Sequence, residues 1–403
     1  MPRPEIQGGD WQHGRELFFS DRALCSKCHA IRGSGGKMAP DLSNLASRDY
    51  KSVFLDIHDP NASLNPEYLA HEVILKDGTQ HTAVMRDEGG EVVLGLGAGV
   101  EVRVKRSDIA SQKALKTSLM IPQIDQVLGE ADFRDLMAFL LTEPPLMKIY
   151  SKAEKVPPAR SKPEIAKILA GAPNPPLATK PLHLVLVSGK KDHGLGEHDY
   201  PRWRQVWSRL FTLAEKISLS LSDEWPSDEQ WRSADAVVFY RKGDWSAAQA
   251  QQFDSFLQRG GGATFIHWSL EAGDSAPDLA HRLGLASQRK VTKYRHGPIQ
   301  LVFEGQHPIA RNFTRADFTD EIYWNLVASE KTPVKPLATS EGHPQLWTQE
   351  PATGGRIFVT LGGHYSWNFD DPLFRTLLLR GIAWTTKEPV DRFNNLIDAG
   401  LEP

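Results

Sequence analysis

The chain has 403 residues, a formal net charge of −3, 40% hydrophobic residues and 24% charged residues. This length exceeds what one hydrophobic core usually supports, so two domains of ordinary globular composition are expected. The near-neutral charge gives no electrostatic case for nucleic acid or an anionic membrane, and no apolar run of about 18 residues offers a transmembrane segment.

In chain order, the first ten residues, MPRPEIQGGD, lack the apolar core of a signal peptide. Trp11–Phe19 reads as a helix in which Gly14 allows close packing. Cys25 and Cys28, the two cysteines of the chain, follow in CSKCH and are placed in a loop. Tyr68 to Ile109 alternates apolar and polar residues, with turn signals at Asp77-Gly78 and Gly89-Gly90, which predicts a small antiparallel β insert. Gly95-Leu96-Gly97-Ala98-Gly99 looks like a dinucleotide fingerprint, but it joins two strand-like runs instead of a strand and a helix. Glu130–Leu141 places Phe133, Leu136, Met137 and Leu140 on one helical face.

From Glu143 to Pro181 the chain is rich in Pro, Lys and Ala, which marks a linker holding a short helix at Lys162–Leu169. Beyond it, strands are predicted at Leu182–Ser188, Ala236–Tyr240, Ala263–His267 and Arg356–Leu361, with helices at Pro201–Lys216, Ser246–Gln258 and Pro372–Trp384. Such alternation predicts an α/β domain with a parallel sheet and helices on both faces. The expected division is residues 1–145, a Pro-rich linker over 146–180, and residues 181–403.

C-x-x-C-H is the attachment motif of c-type haem, in which the thiols of Cys25 and Cys28 bond the haem and His29 ligates the iron. A structural zinc site needs four ligands, and a thioredoxin-like pair needs a βαβ setting. A disulfide across two intervening residues would be strained. The stretch WQHGRELFFSDRALCSKCHAIRGSGGKMAPDL, Trp11 to Leu42, resembles the start of class I cytochrome c domains. Residues 1–145 as a whole resemble the haem-binding domain common in planctomycete and verrucomicrobial proteins, with an Ile57–Tyr68 segment before the β insert. Where that family has Ser-x-Met-Pro, this chain has Ser118-Leu119-Met120-Ile121-Pro122, one residue longer. The resemblance implies a mostly α cytochrome c fold with a β insert.

For the sixth iron ligand, Met137 lies on a core face, Met85 within a strand and Met147 beyond the last helix. Met38 comes nine residues after His29, in a loop expected on the proximal side. Met120 is therefore favoured, with Met38, a histidine or an open position as the alternatives. A His/Met pair suits electron transfer with a redox partner. Haem c is attached outside the cytoplasm, so a periplasmic or other extracytoplasmic location is expected.

The stretch from Leu182 to Trp384 resembles the ThuA-like (trehalose-utilisation) family. The resemblance rests on SGKKDHGLGEHDY (188–200), GGGATFIHW (260–268), HPIARNF (307–313), DEIYW (320–324) and GRIFVTLGGHYSWNFDDPLFRTLLLRGIAW (355–384). It implies a flavodoxin-like, class I glutamine-amidotransferase-like fold. Sites in open α/β sheets lie at the carboxyl ends of strands. His193, Glu197 and His198 follow the first strand, His267 ends a later one and His364 follows another. These histidines, with the acidic pair Asp320 and Glu321, form a candidate pocket for a divalent metal, for acid–base work or for gripping sugar hydroxyls. A lone histidine is more often a structural hydrogen-bonding residue; convergence of three segments favours a site. The domain has no cysteine, which excludes a Cys-dependent amidotransferase, and no G-x-S-x-G elbow. Glu197 with Asp320 or Glu321 could form a glycosidase-like pair, although salt bridges and caps are the commoner use. The resemblance implies carbohydrate processing on keto-sugars or glycosides, with the haem domain taking electrons from a partner sugar dehydrogenase. The alternative is a non-catalytic domain that binds carbohydrate or a partner and positions the haem.

Overall fold

A computed structural model describes residues 3–32, 34–144, 149, 156–173, 179–352 and 354–400. The chain divides into two compact units, Met1–Pro145 and Leu146–Pro403.

The first unit runs α1 (Trp11–Phe19), α2 (Cys25–Cys28), β1 (Ala30–Ile31), β2 (Ser34–Gly35) and α3 (Tyr50–His58), then β3 (Ala70–Leu75), β4 (Gln80–Glu88), β5 (Glu91–Gly95), β6 (Glu101–Lys105) and β7 (Ile109–Ala114), and closes with α4 (Ile124–Leu128) and α5 (Glu130–Leu141). Helix α1 starts where the Asp10 carboxylate accepts from the amides of Gln12 and His13, satisfying two of the free donors at the helix start. A Cβ on Gly14 would come within 1.8 Å of the Asp135 carbonyl oxygen, so the close crossing of α1 and α5 needs a glycine there. Phe133, Leu136, Met137 and Leu140 are buried in a core shared with Phe18, Val53 and Ile57.

The β insert is larger than its turn signals suggested. Strands β3 to β7 form a five-stranded antiparallel sheet in the order β6-β5-β4-β3-β7, around Val73, Ala83, Val92 and Leu94. The expectation of a mostly α domain is corrected accordingly: the unit is β-rich with some helices. The alternation continues through Ile109–Ala114, and pairing of β7 with β3 completes the sheet. The cysteines also lie on a helical turn, α2, and not in an open loop.

The second unit runs α6 (Lys162–Leu169), β8 (Leu182–Ser188), α7 (Tyr200–Thr212), β9 (Ile217–Asp223), α8 (Asp228–Ser233), β10 (Ala236–Tyr240), α9 (Ala247–Gln258), β11 (Gly262–Ile266), α10 (Ala276–Leu283) and β12 (Leu285–Ala286). It continues through β13 (Lys293–Phe303), β14 (Arg315–Trp324), β15 (Val327–Ala328), β16 (Pro336–Ser340), β17 (His343–Gln349), β18 (Arg356–Thr360) and α11 (Pro372–Thr385). Nine of these strands form one sheet in the order β14-β13-β16-β17-β18-β11-β10-β8-β9. The segment from β18 to β9 is parallel, as alternating strands and helices predict, and β8, β10, β11 and β18 are buried along almost their whole length. The other half is antiparallel, which corrects the wholly parallel expectation. Strands β13 and β14 expose polar residues along one face, so their sequences lack the continuous apolar run of a parallel-sheet strand.

Much of the segment expected as a linker, including Met147, lies outside the described residues. Helix α6 belongs to the second unit: the buried Arg380 of α11 donates to the Ile168 carbonyl at 3.0 Å. No helix among the described residues is long and apolar enough to cross a membrane.

Candidate functional site

The first unit encloses a cavity of about 550 Å³, whose wall includes Cys25, Cys28, His29, Met38 and Met120. That size lies within the usual range for cofactor sites, about 300–1,000 Å³. Burial pushes the Cys25 thiol up to about 12 and raises Cys28 as well. His29 Nδ1 donates to the Pro40 carbonyl at 2.9 Å, which leaves the lone pair on Nε2, and burial lowers the ring's pKa so that it is neutral. Two thiols, a neutral imidazole with a fixed tautomer and thioethers around one apolar cavity form a donor set that fits a covalently held haem. Among the described residues, the groups of His, Cys, Asp and Glu close enough for a metal ion do not include Cys25, Cys28 or His29.

Met38 and Met120 differ in their freedom. Met38 is 5% exposed and presses on the β insert: a Cβ on Gly95 would stand 2.0 Å from its Cε. Met120 is half-buried at the edge of the helical core, with its amide donating to Ser118 Oγ at 3.0 Å.

In the second unit the ends of three parallel strands meet. The loop after β8 carries Asp192, His193, Glu197 and His198; His267 follows β11; His364 follows β18. The two outer loops are zipped together, because His198 N donates to the His364 carbonyl at 3.0 Å and Ser366 N donates to the Gly196 carbonyl at 2.7 Å. From β14, the buried Asp320 carboxylate accepts from Gly363 N at 2.7 Å and His364 N at 3.1 Å, fixing the third loop. Burial raises Asp320 to about 6, while the amides oppose that rise. His198 and His267 both adopt left-handed backbone, at φ +42° and +52°, which non-glycine residues hold only when their surroundings over-determine it.

This scaffold drives ring nitrogens together. His198 Nε2 lies 2.8 Å from His267 Nε2 and 3.0 Å from His364 Nδ1, and the last two are 3.3 Å apart. The tautomers of the first two are set from outside. His198 Nδ1 donates to Asp192 at 2.9 Å and His267 Nδ1 donates to the Leu361 carbonyl at 2.8 Å, so both Nε2 atoms present lone pairs. Two lone pairs 2.8 Å apart repel unless a cation or a proton lies between them. Glu321 Oε2 adds a carboxylate 3.5 Å from His267 Nε2 and 3.2 Å from His364 Nδ1.

A family model described as trehalose utilisation, ThuA, matches residues 185–385. Those residues form a ThuA-like domain. Among solved structures, a ThuA-like protein of Parabacteroides merdae is similar at 18% identity with a TM-score of 0.41, covering 51% of this chain and 90% of that one. A second, from Bacteroides uniformis, has 14% identity and a TM-score of 0.41, covering 54% and 98%. A cytoplasmic protein of Salmonella typhimurium follows at 14% identity and a TM-score of 0.34, covering 51% and 97%. None of the curated proteins matches the chain.

Within the ThuA-like domain, burial and then the neighbouring imidazoles hold the pKa of His198 far down, and burial takes His267 to about 3, so both rings are neutral and fit to ligate. Burial alone would raise Glu321, but its hydrogen bond to His364 leads the interactions that bring it down to about 2. Burial opposes charge on His364, and Glu321 outweighs it and raises that ring. Glu321 thus favours a proton on His364, next to the converging acceptors.

The remaining predicted residues frame this cluster. The His193 ring lies 3.7 Å from that of His198, tilted by 43°, and Glu197 Oε1 stands 3.7 Å from His364 Nε2. No signal in the sequence points to Asp192, His296 or Tyr365. His296 Nε2 reaches Glu321 Oε1 at 3.0 Å, and its Nδ1 meets the Tyr365 hydroxyl at 3.0 Å. Tyr323 donates its hydroxyl to Glu321 Oε2. Only the pairing of β13 with β14, which sets His296 opposite Glu321, shows the role of His296.

Proposed function

We propose that the chain is an extracytoplasmic fusion of a c-type haem electron carrier with a metal-dependent, ThuA-like carbohydrate-processing domain. The observation that carries the second part is the convergence of His198 Nε2, His267 Nε2 and His364 Nδ1, two of them with tautomers fixed by Asp192 and Leu361. Imidazole ligands oriented by a carboxylate or a carbonyl are the usual construction of a transition-metal site. With Glu321 as a fourth donor, the set suits a divalent cation. Such a cation, when bound, supplies Lewis-acid polarisation of a sugar carbonyl or hydroxyl. The protein's residues hold and shield it: Asp192 and Leu361 orient the rings, and Asp320 fixes the loop that presents His364.

Support for the first part is the cavity lined by both CSKCH thiols, with His29 turned by Pro40 so that Nε2 is its free nitrogen. In this reading Cys25 and Cys28 would attach the haem, His29 and Met120 would ligate its iron, and a sugar dehydrogenase would be the redox partner. Haem supplies one-electron transfer when bound.

Metal analysis of the purified chain, followed by incubation of zinc- or manganese-loaded protein with glycosides and keto-glycosides, tests the catalytic assignment. The expected result is one tightly held divalent cation per ThuA-like domain and turnover that a chelator abolishes. Iron as the sole metal removes the metal centre, and unchanged sugars with the cation present remove the enzyme.

A further inference from the structure

His364 is 2% exposed, yet its Nε2 has no hydrogen-bond partner among the described residues. A buried polar nitrogen left unpaired costs about 1–3 kcal/mol, so such an atom marks a place where something else binds. Glu197 Oε1 stands 3.7 Å from it, too far for a direct bond. Glu197 sits at the rim, its side chain 32% exposed, and its backbone is held by a bridge to Tyr365.

We propose that His364 Nε2 and the Glu197 carboxylate together form a hydroxyl subsite, taking beside the pair one OH of a neutral polyhydroxylated ring next to the cation position. The inference rests on the metal reading, because His364 presents an N–H at Nε2 when its Nδ1 lone pair serves the cluster. A hydroxyl can accept from Nε2–H and donate to the carboxylate at once, which few other groups do. A phosphate or carboxylate ligand is disfavoured: it could accept from His364 but would meet Glu197 charge to charge. The surroundings suit a sugar ring. The Tyr365 ring lies 4.6 Å from that of His364 and stacks on Trp367 at 4.2 Å, and the His193 ring lies 5.9 Å from that of His364 and 6.0 Å from that of Trp268. Such rings accept the C–H face of a sugar while its hydroxyl points at the pair.

The test titrates metal-loaded, full-length protein with methyl α-D-glucopyranoside and its four monodeoxy analogues, using wild type and Glu197→Gln, with bound metal measured in each sample. One analogue should bind wild type about tenfold to a hundredfold more weakly than the parent glycoside. Glu197→Gln should weaken the parent, and the two losses should not add, the signature of a shared contact. Metal content should be the same in both proteins. Equal affinity for all four analogues, additive losses, or no binding of the parent glycoside by metal-loaded wild type overturns the subsite. The deoxy series on wild type decides the matter even where Glu197→Gln folds poorly. A wild type that holds no cation fails the metal reading instead, and the metal analysis shows that separately.

Discussion

Asp192→Asn is the most informative perturbation of the ThuA-like site, because it alters the orientation of a ligand without removing one. Asp192 Oδ1 accepts from His198 Nδ1 at 2.9 Å and from His193 Nδ1 at 2.9 Å. A hydrogen bond to a charged group contributes about 1.5–3 kcal/mol, and one between neutral groups about 0.5–1.5 kcal/mol. Asparagine keeps an acceptor oxygen but loses the charge, so the loss is about 1–1.5 kcal/mol. That corresponds to roughly a tenfold weaker cation, at the low end of the 10- to 100-fold usual for such outer residues. At a free cation concentration about 100 times the wild-type dissociation constant, stabilisation falls from about 2.7 to about 1.4 kcal/mol. For a unit of this size the cation-induced rise in melting temperature should shrink by about 3–5 °C. Competition with a chromophoric chelator measures the affinity, and melts with and without cation measure the shift. His198→Ala, which removes a ligand, should lose binding altogether. If Asp192→Asn matches wild type while His198→Ala fails, the carboxylate does not orient the ring. If both bind as wild type does, the cluster is not a metal site.

Met120→Ala should remove the Met–iron charge-transfer band of the oxidised haem protein; an unchanged spectrum would move the ligand to Met38 or a histidine. Cys25→Ala with Cys28→Ala should abolish covalent haem while the ThuA-like domain keeps its cation and its melting transition, and joint loss of both would contradict independent cores. In the first unit, the Asp135 hydrogen bond, with added help from Asp132, raises the pKa of His13 above 6.5 despite partial desolvation. The sign follows: this stabilisation is complete below pH 6.5 and fades as pH rises through the raised folded-state value. The first unit's melting temperature should therefore decline over that window in wild type and stay level in His13→Gln; parallel profiles would rule the pair out.

Much of this architecture is legible in the sequence where the signal is local. The spans of α1, α6 and β8 coincide with their periodic or apolar segments, and Gly14 marks a contact that the structure places on the Asp135 carbonyl. Parallel strands buried on both faces announce themselves as apolar runs, so the ends of β8, β11 and β18, and with them His198, His267 and His364, could be placed at one edge. Strand β13 could not be: KYRHGPIQLVF interrupts its apolar residues with charge, Gly and Pro, and its assignment comes from pairing with β14. His296 therefore remained invisible. Asp192 was hidden for another reason, since its role depends on which way the His193 and His198 rings turn, and no spacing rule encodes that.

The backbone of the site supplies the last link. His198 and His267 hold left-handed conformations that cost of order 1–3 kcal/mol each, even though histidine, like asparagine and aspartate, enters this region more often than most residues. Glycine would adopt this backbone more freely, but only a side chain such as histidine places a ring nitrogen in the cluster. The loops that carry the strain are pinned by main-chain bonds from His198 to His364 and from Ser366 to Gly196, and by Asp320 beneath. Two nitrogen lone pairs held 2.8 Å apart are stabilised by a proton or a cation between them. Under the proposed reading a divalent cation would take that place, with His364 Nδ1 turned to the cluster and Nε2 to the rim.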